Sequence, residues 1–422
     1  MSSYTTVAGD DFALIARKIY GDEIQAFTIA TANPGAFEPL TAGTVLVIPP
    51  DVNAPRSLPA NLADTNEVTL TIDGENFFNW SDLRINRAFD TIGTFSFSAP
   101  FEPDNPKWRQ VFQPFSFKTI QVYSGRDLIF TGQLVSTVPV SEPGRTTLSV
   151  SGYSLPGVLQ DCTPPAPNSG FQYEFRGLTV VDIAYQLGVP FGVQALGGDG
   201  APGAVFDRVA IEPNRKILNF LASLARERSL VITSDEDGAL VFHSENAAPG
   251  TSPDEGQTLG TLAAKFNEDA GPVNAVVPNF NPQQFYSHVT AFQPTILGIP
   301  GRQHTVTNTK LSTVLRPYNF LANDTQAADI EPATKATSGR MYSNAIEYSL
   351  EVRTWRNALG KLWKPGEFIS LNWPNAMIYE DFTFFIKRVN FRKTADKEFA
   401  NMTLTLPGGY AGKIPEALPW DS

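Results

Sequence analysis

The chain has 422 residues, more than a domain with a single hydrophobic core ordinarily contains, so its length predicts two to four domains. Only 18% of the residues are charged, the net charge is −11 and no basic run occurs, which argues against a nucleic-acid-specific site. The single cysteine, Cys162, excludes an internal disulfide and a multi-cysteine zinc site, and no apolar run reaches the roughly eighteen residues that a membrane span needs.

Residues 1–50 predict a small β-α-α-β unit. After an opening strand, Asp10 and Asp11 stand where a helix N-cap belongs, apolar residues follow at helical spacing, and Gly21 closes the helix. A second helix is predicted over residues 24–32, and a strand over residues 45–48 completes the unit. We therefore expect this segment to fold as a compact domain of its own.

This unit resembles a LysM domain. The resemblance is carried by the opening strand at 4–7, the Gly9-Asp10 turn, Ala16 with Tyr20, the Asn33-Pro34 pair and the closing stretch at 43–49. LysM domains commonly bind the N-acetylglucosamine of peptidoglycan or chitin, and some serve as protein–protein clamps. The resemblance implies a glycan-docking or protein-docking surface at Gly9, Asp10, Asp11, Asn33 and Pro34.

The rest of the chain divides into two β-rich blocks around a mixed segment. Residues 51–64 contain two prolines without periodicity and predict a linker, and residues 65–161 alternate with period two, which favours an antiparallel barrel or sandwich. Residues 162–245 predict an α+β domain with a helix closed by Gly188, a stronger helix that starts at Pro213, and a hairpin.

Alternation returns in residues 246–406, with an internal helix over 324–343, and residues 407–422 form a Gly/Pro-rich tail. The predicted fold class is therefore α+β and mostly β. It comprises a small LysM-like βααβ domain, followed by two antiparallel, tube-like β-barrel domains that flank the α+β domain.

Four local patterns occur in a defined order over residues 65–406. They are 129–134 followed by 147–162, 215–226 followed by 230–242, 340–350, and 362–371. Together they resemble the baseplate hub proteins of contractile-tailed phages of the Mu-like kind, which are related to late-control D type and type VI spike hub domains. The LysM-like prefix departs from the simplest family members.

The resemblance implies a structural hub in the virion tail baseplate. Such hubs form homotrimers with two similar barrels per chain, so that a trimer adapts a six-fold tail tube to a three-fold spike. The implied partners are a second and third copy of the chain, the tail tube protein, the central spike protein and the baseplate wedge proteins. The LysM-like module would be a docking clamp, and peptidoglycan is a further candidate partner. Because no signal peptide is recognisable, assembly in the host cytoplasm is expected.

The sequence assembles no catalytic or metal-binding constellation, so we expect neither an enzyme nor a cofactor. The three histidines, His243, His288 and His304, form no ligand motif and are interpreted as structural or surface groups. The acids at 235–237 lie in a hairpin turn, where aspartate is favoured for backbone reasons, although a weak cation site is an alternative.

Aromatic residues outside regular apolar patterns are the remaining candidates for contact with other subunits. Their density suits either a core or a subunit interface, and both interpretations stay open. The interface candidates are Phe77, Phe78, Trp80, Phe115, Trp363 and Trp373.

Two other functions are compatible with the sequence. The first is a peptidoglycan-binding, tail-associated lysin or cell-wall-binding protein that uses the LysM-like module for targeting, although no hydrolase motif is present. The second is the hub of a contractile bacteriocin or injection system.

Overall fold

The fold is that of a computed structural model of the chain. The structure describes residues 2–53, 67–143, 145–166, 171–198, 203–246, 248–250, 259–268, 271–293, 301–311, 313–321, 330–413 and 417–421. Most of the predicted linker, most of the connection at 246–257 and the first residues of the predicted helix at 324–343 lie outside these ranges.

The N-terminal domain has the predicted β-α-α-β order. Its elements are β1 (Ser2–Thr5), α1 (Phe12–Tyr20), a 3-10 turn (Glu23–Gln25), α2 (Ala26–Ala32) and β2 (Val45–Ile48). The two strands pair antiparallel. Asp11 caps α1 and Gly21 ends it with φ 75°, a left-handed conformation that glycine adopts without strain, so both helix boundaries agree with the sequence signals.

The first β-rich block is an antiparallel array. Its elements are β3 (Val68–Ile72), β4 (Glu75–Phe77), β5 (Ser81–Ala88), β6 (Thr94–Pro100), α3 (Pro106–Val111), β7 (Thr119–Ser124), β8 (Asp127–Glu142), β9 (Arg145–Ser154) and α4 (Val158–Asp161). The strands lie side by side in the order β5-β6-β9-β8-β7-β3-β4. Alternating apolar residues such as Leu83 and Ile85 face the core, as the period of two predicted.

The α+β domain contains both predicted helices and the predicted hairpin. Its elements are β10 (Glu174–Phe175), α5 (Val180–Gly188), β11 (Ala195–Gly197), β12 (Val209–Ala210), α6 (Ile217–Glu227), β13 (Val231–Ser234) and β14 (Leu240–His243). Helix α6 begins at Ile217 rather than at Pro213, because residues 213–215 form a turn. The parallel pairing of β11 with β14 was not predicted.

The second β-rich block carries its internal helix next to a small separate sheet. Its elements are β15 (Leu262–Asn267), β16 (Val273–Phe280), β17 (His288–Phe292), β18 (Gln303–Thr307), β19 (Pro317–Leu321), α7 (Ile330–Ala345), β20 (Ile346–Val352), β21 (Phe368–Trp373), β22 (Ile378–Lys393) and β23 (Glu398–Thr405). Strands β18, β17 and β19 form the small sheet, and α7 packs beside it.

The two β-rich blocks are joined into one thirteen-stranded sheet. Strand β22 pairs with β21 through its first half and with β5 of the first block through its second half, from Arg388 opposite Ala88 to Lys393 opposite Leu83. Among the described strands no closed barrel forms, so the prediction of two separate barrels is corrected. The sixteen-residue length of β22 lets it pair with both blocks in succession.

One large apolar core extends through both β-rich blocks, and the N-terminal and α+β domains each have a smaller core. The predicted C-terminal tail is partly integrated, because Tyr410 and Leu418 are buried. No helix within the described ranges is long and apolar enough to cross a membrane.

Candidate assembly surfaces

The side chain of Asp10 forms its hydrogen bonds and its ion pair within the N-terminal domain. Its carboxylate accepts hydrogen bonds from the Tyr4 hydroxyl at 3.0 Å and the Val7 N–H at 2.8 Å, and it pairs with Lys18 at 2.6 Å. The hydrogen bond from Lys18 is the main reason that the pKa of Asp10 lies below its ordinary value. Gly9 makes the preceding turn with φ 89°. Asp10 therefore stabilises the first loop rather than presenting a free carboxylate.

The side chains of Asn33 and Asp11 also form hydrogen bonds within the N-terminal domain. The Asn33 side-chain amide donates to the carbonyls of Ile29 and Val47, each at 2.8 Å, and its oxygen accepts the Val47 N–H at 2.7 Å. Asp11 accepts the N–H of the third residue of α1 at 2.6 Å. Pro34 is exposed. A ligand at this loop would thus depend on Pro34 and backbone groups.

The N-terminal domain packs against the α+β domain through the region of α2. A cleft of about 610 Å³ lies along this junction. Burial and the neighbouring Asp22 carboxylate raise the pKa of Tyr185 to about 12. The contacts are a T-shaped Phe27–Phe171 ring pair at 5.8 Å, Thr28 Oγ1 to the Val189 carbonyl at 3.2 Å, Asn53 Nδ2 to the Tyr185 hydroxyl at 2.8 Å, and the Tyr185 hydroxyl to Asp22.

The aromatic interface candidates separate into core and surface residues. Trp363 is only 1% exposed, and its indole donates to the Thr354 carbonyl at 2.9 Å, so it is a core residue. Phe77, Trp80 and Trp373 are half-buried and pack against the large core. These positions mainly stabilise the single chain.

Two of the candidates do face solvent. Phe78 is 71% exposed and Phe115 is 85% exposed, and the nearby Phe117 is 50% exposed. Large apolar side chains at this exposure mark sites of protein contact when they occur together. They are the aromatic positions on which a subunit contact can be based.

Glu236 forms a charged junction between the α+β hairpin and the β-rich blocks. Its carboxylate pairs with Arg87 at 2.6 Å and with Lys364 at 2.7 Å. Burial alone would raise its pKa, but the two cations hold the pKa of Glu236 at about 2. Asp235 accepts the Ala239 N–H at 2.7 Å and so shapes the turn, as predicted. Within the described residues no cluster of metal-ligating side chains occurs.

Glu245 was not singled out by the sequence. It is 2% exposed, and its carboxylate accepts the backbone N–H groups of Gly408, Tyr410 and Ala411 at 2.6, 2.7 and 2.9 Å. Burial raises its pKa to about 7. Glu245 therefore holds the C-terminal segment against the end of the α+β domain. A single acid at the end of that predicted domain gave no sequence signal for this role.

Residues 156–244 match the family model "Baseplate hub protein gp44-like, second domain", which coincides with the α+β domain. The chain is 24% identical over 325 residues to the baseplate hub protein gp44 of Escherichia phage Mu, covering 73% of this chain and 79% of that protein. These similarities support the prediction that the chain is a baseplate hub protein of a phage tail.

Two solved structures show the same fold. The 43 kDa tail protein of prophage MuSo2 from Shewanella oneidensis has a TM-score of 0.66 and 22% identity, over 81% of this chain and 99% of that chain. The E. coli c3393 protein, a component of the type VI secretion system, has a TM-score of 0.50 and 10% identity, over 80% of this chain and 76% of that chain. The predicted likeness to type VI hub proteins is confirmed at the level of fold.

Proposed function

We propose that the chain is the structural, non-enzymatic hub of a contractile phage tail baseplate and works as a homotrimer. The observation that carries this proposal is a gp44-like α+β domain set between two β-rich blocks that share one continuous sheet. Three chains with two β-rich blocks each would present six blocks around a three-fold axis. That arrangement would suit a six-fold tail tube on one side and a three-fold spike on the other.

The N-terminal domain is proposed to be a LysM-like docking clamp toward a tail tube or wedge protein. Two observations support a structural role over glycan binding. The side chains of Asp10 and Asn33 are satisfied within the domain, and the region of α2 rests on the α+β domain. The exposed surface around Pro34 would then meet the partner protein.

The mass in solution, measured by light scattering together with sedimentation on purified peptidoglycan, tests this proposal. The expected result is a particle near three times 46.0 kDa that does not sediment with the cell wall. A stable monomer that sediments with peptidoglycan would contradict the hub and favour a cell-wall-binding protein. A trimer that also binds peptidoglycan would keep the hub and overturn the clamp.

A further inference from the structure

A cavity of about 150 Å³, called the arginine cavity below, is lined by Arg226 and Arg340. Arg226 belongs to helix α6 of the α+β domain and Arg340 to helix α7 of the second β-rich block. Asp90, from the connection between β5 and β6, and Tyr410, from the C-terminal segment, also line it. Sites for drug-sized ligands measure roughly 300–1,000 Å³, so only a small ligand or a single side chain fits this cavity.

The two arginines bring two positive charges to the cavity. Arg340 is partly buried and Arg226 is exposed, and within the part of the chain that the structure describes neither forms an ion pair. Burial, together with the nearby Arg226 cation, lowers the pKa of Arg340 below its ordinary value. Two neighbouring cations repel each other, and the repulsion is stronger where water is partly excluded. An anion placed near both guanidinium groups would offset this cost.

Backbone carbonyls hold both guanidinium groups but use few of their donors. Arg226 Nε donates to the Ala222 carbonyl at 3.2 Å, and Arg340 Nη2 donates to the Leu230 carbonyl at 3.1 Å. Among the described residues neither guanidinium forms another hydrogen bond, and Arg340 Nε is buried there without a partner. Because a guanidinium carries five N–H donors, most donors of both side chains remain available to a ligand.

The third charged group that lines the cavity is the carboxylate of Asp90. It accepts a hydrogen bond from the Tyr410 hydroxyl at 2.7 Å. One acid does not neutralise two arginines, so the lining keeps a net positive charge. The planar fork of a guanidinium matches the paired oxygens of carboxylate and phosphate groups. Charge, donor chemistry and size therefore all indicate an oxyanion.

We propose that the arginine cavity binds a small oxyanion between Arg226 and Arg340. Two sources supply this chemistry, which are free inorganic phosphate and the carboxylate of an acidic side chain from a partner protein. The bound oxyanion links α6 to α7 and so ties the α+β domain to the second β-rich block. This site adds to the proposed hub function and does not depend on the number of chains in the hub.

Isothermal titration calorimetry of the full-length protein with sodium phosphate, at constant ionic strength, tests the site. The unmodified chain is expected to bind phosphate saturably. Arg340→Gln is expected to weaken binding by about tenfold or more, because charge-assisted hydrogen bonds to the ligand are lost. Arg226→Gln, at an exposed position that tolerates substitution, is expected to weaken binding as well and keeps the test valid if Arg340→Gln does not fold.

The matched control is Arg316→Gln. Arg316 is an exposed arginine that also donates to backbone carbonyls, those of Phe285 and Pro282, each at 3.0 Å. It does not line the arginine cavity, so this variant is expected to bind phosphate like the unmodified chain. Equal weakening in all three variants would mean that phosphate responds only to overall charge, and would overturn the site.

A titration with sodium acetate separates the two sources of the oxyanion. Acetate that binds as tightly as phosphate and is lost in the same variants would identify a protein carboxylate as the ligand. Phosphate that binds much more tightly than acetate would identify the free ion. No saturable binding of either probe, or binding that both arginine variants leave unchanged, would overturn the inference.

Substitution of the acid gives an effect of opposite sign. Asp90→Asn is expected to tighten phosphate binding several-fold, since it removes the negative charge from the lining. Weaker binding in Asp90→Asn would overturn the oxyanion assignment. Light scattering distinguishes these results from the proposed function, because a trimer without oxyanion binding overturns only the site, and a monomer with oxyanion binding overturns only the hub.

Discussion

Substitution of Glu236 by glutamine would remove the charge that joins the α+β hairpin to the β-rich blocks. The guanidinium of Arg87, whose side chain is only 9% exposed, would then lose the negatively charged partner that lies 2.6 Å from it. The pKa of Glu236 is lowered from 4.5 to about 2, which corresponds to about 3 kcal/mol. Loss of one partner of a buried pair costs a similar amount, about 3–5 kcal/mol, and the more exposed Lys364 pair adds little. We therefore expect the variant to lose about 3 kcal/mol at pH 7.

Urea unfolding of the unmodified chain and of Glu236→Gln, between pH 7 and pH 2, measures this effect. Because the folded-state pKa is depressed, the stabilisation is complete above pH 4.5 and is lost as the pH falls toward about 2. The two proteins should converge at the acidic end. The matched control is Glu102→Gln, at an exposed acid in a loop. A Glu236→Gln variant that unfolds like this control at pH 7 would refute the reasoning.

Three further outcomes are expected. In the unmodified chain the pKa of Glu245 is raised to about 7, so between pH 4.5 and 7 the folded chain retains a proton that the unfolded chain releases, and the free energy of unfolding should fall by up to about 3 kcal/mol. Glu245→Gln should remove this fall, and an unchanged pH dependence in urea titrations would contradict the prediction. Trp363→Ala should cost about 3–5 kcal/mol by thermal unfolding, whereas Phe78→Ser should cost less than about 0.5, and equal costs would contradict their different burial. Asp10→Asn should increase hydrogen exchange in residues 2–50 but not in residues 171–246, and uniform exchange would show that Asp10 does not hold its loop.

Local chemistry made much of the secondary structure predictable. Asp11 and Gly21 mark both ends of α1, because an N-cap carboxylate and a left-handed glycine each satisfy groups that the helix leaves unpaired. The turn between β13 and β14 was recognisable from its acids and Gly238, which has φ 84°. These signals act within a few residues and need no knowledge of the rest of the chain.

The pairing of distant strands was harder to predict from the sequence. The pairing of β22 with β5 joins residues about 300 positions apart, and periodicity does not indicate which strands meet. For the same reason the sequence could not separate Trp363 in the core from Phe78 at the surface. Glu236 became informative only when the fold placed the buried Arg87 and the more exposed Lys364 beside it, and Glu245 only when the fold placed backbone N–H groups around it.

End-on electron microscopy of the purified full-length protein tests the central claim most directly. The account predicts ring-shaped particles with three-fold symmetry and six lobes of density, two from each chain. Particles with two-fold symmetry, or single-chain particles at every concentration, would contradict a trimeric hub.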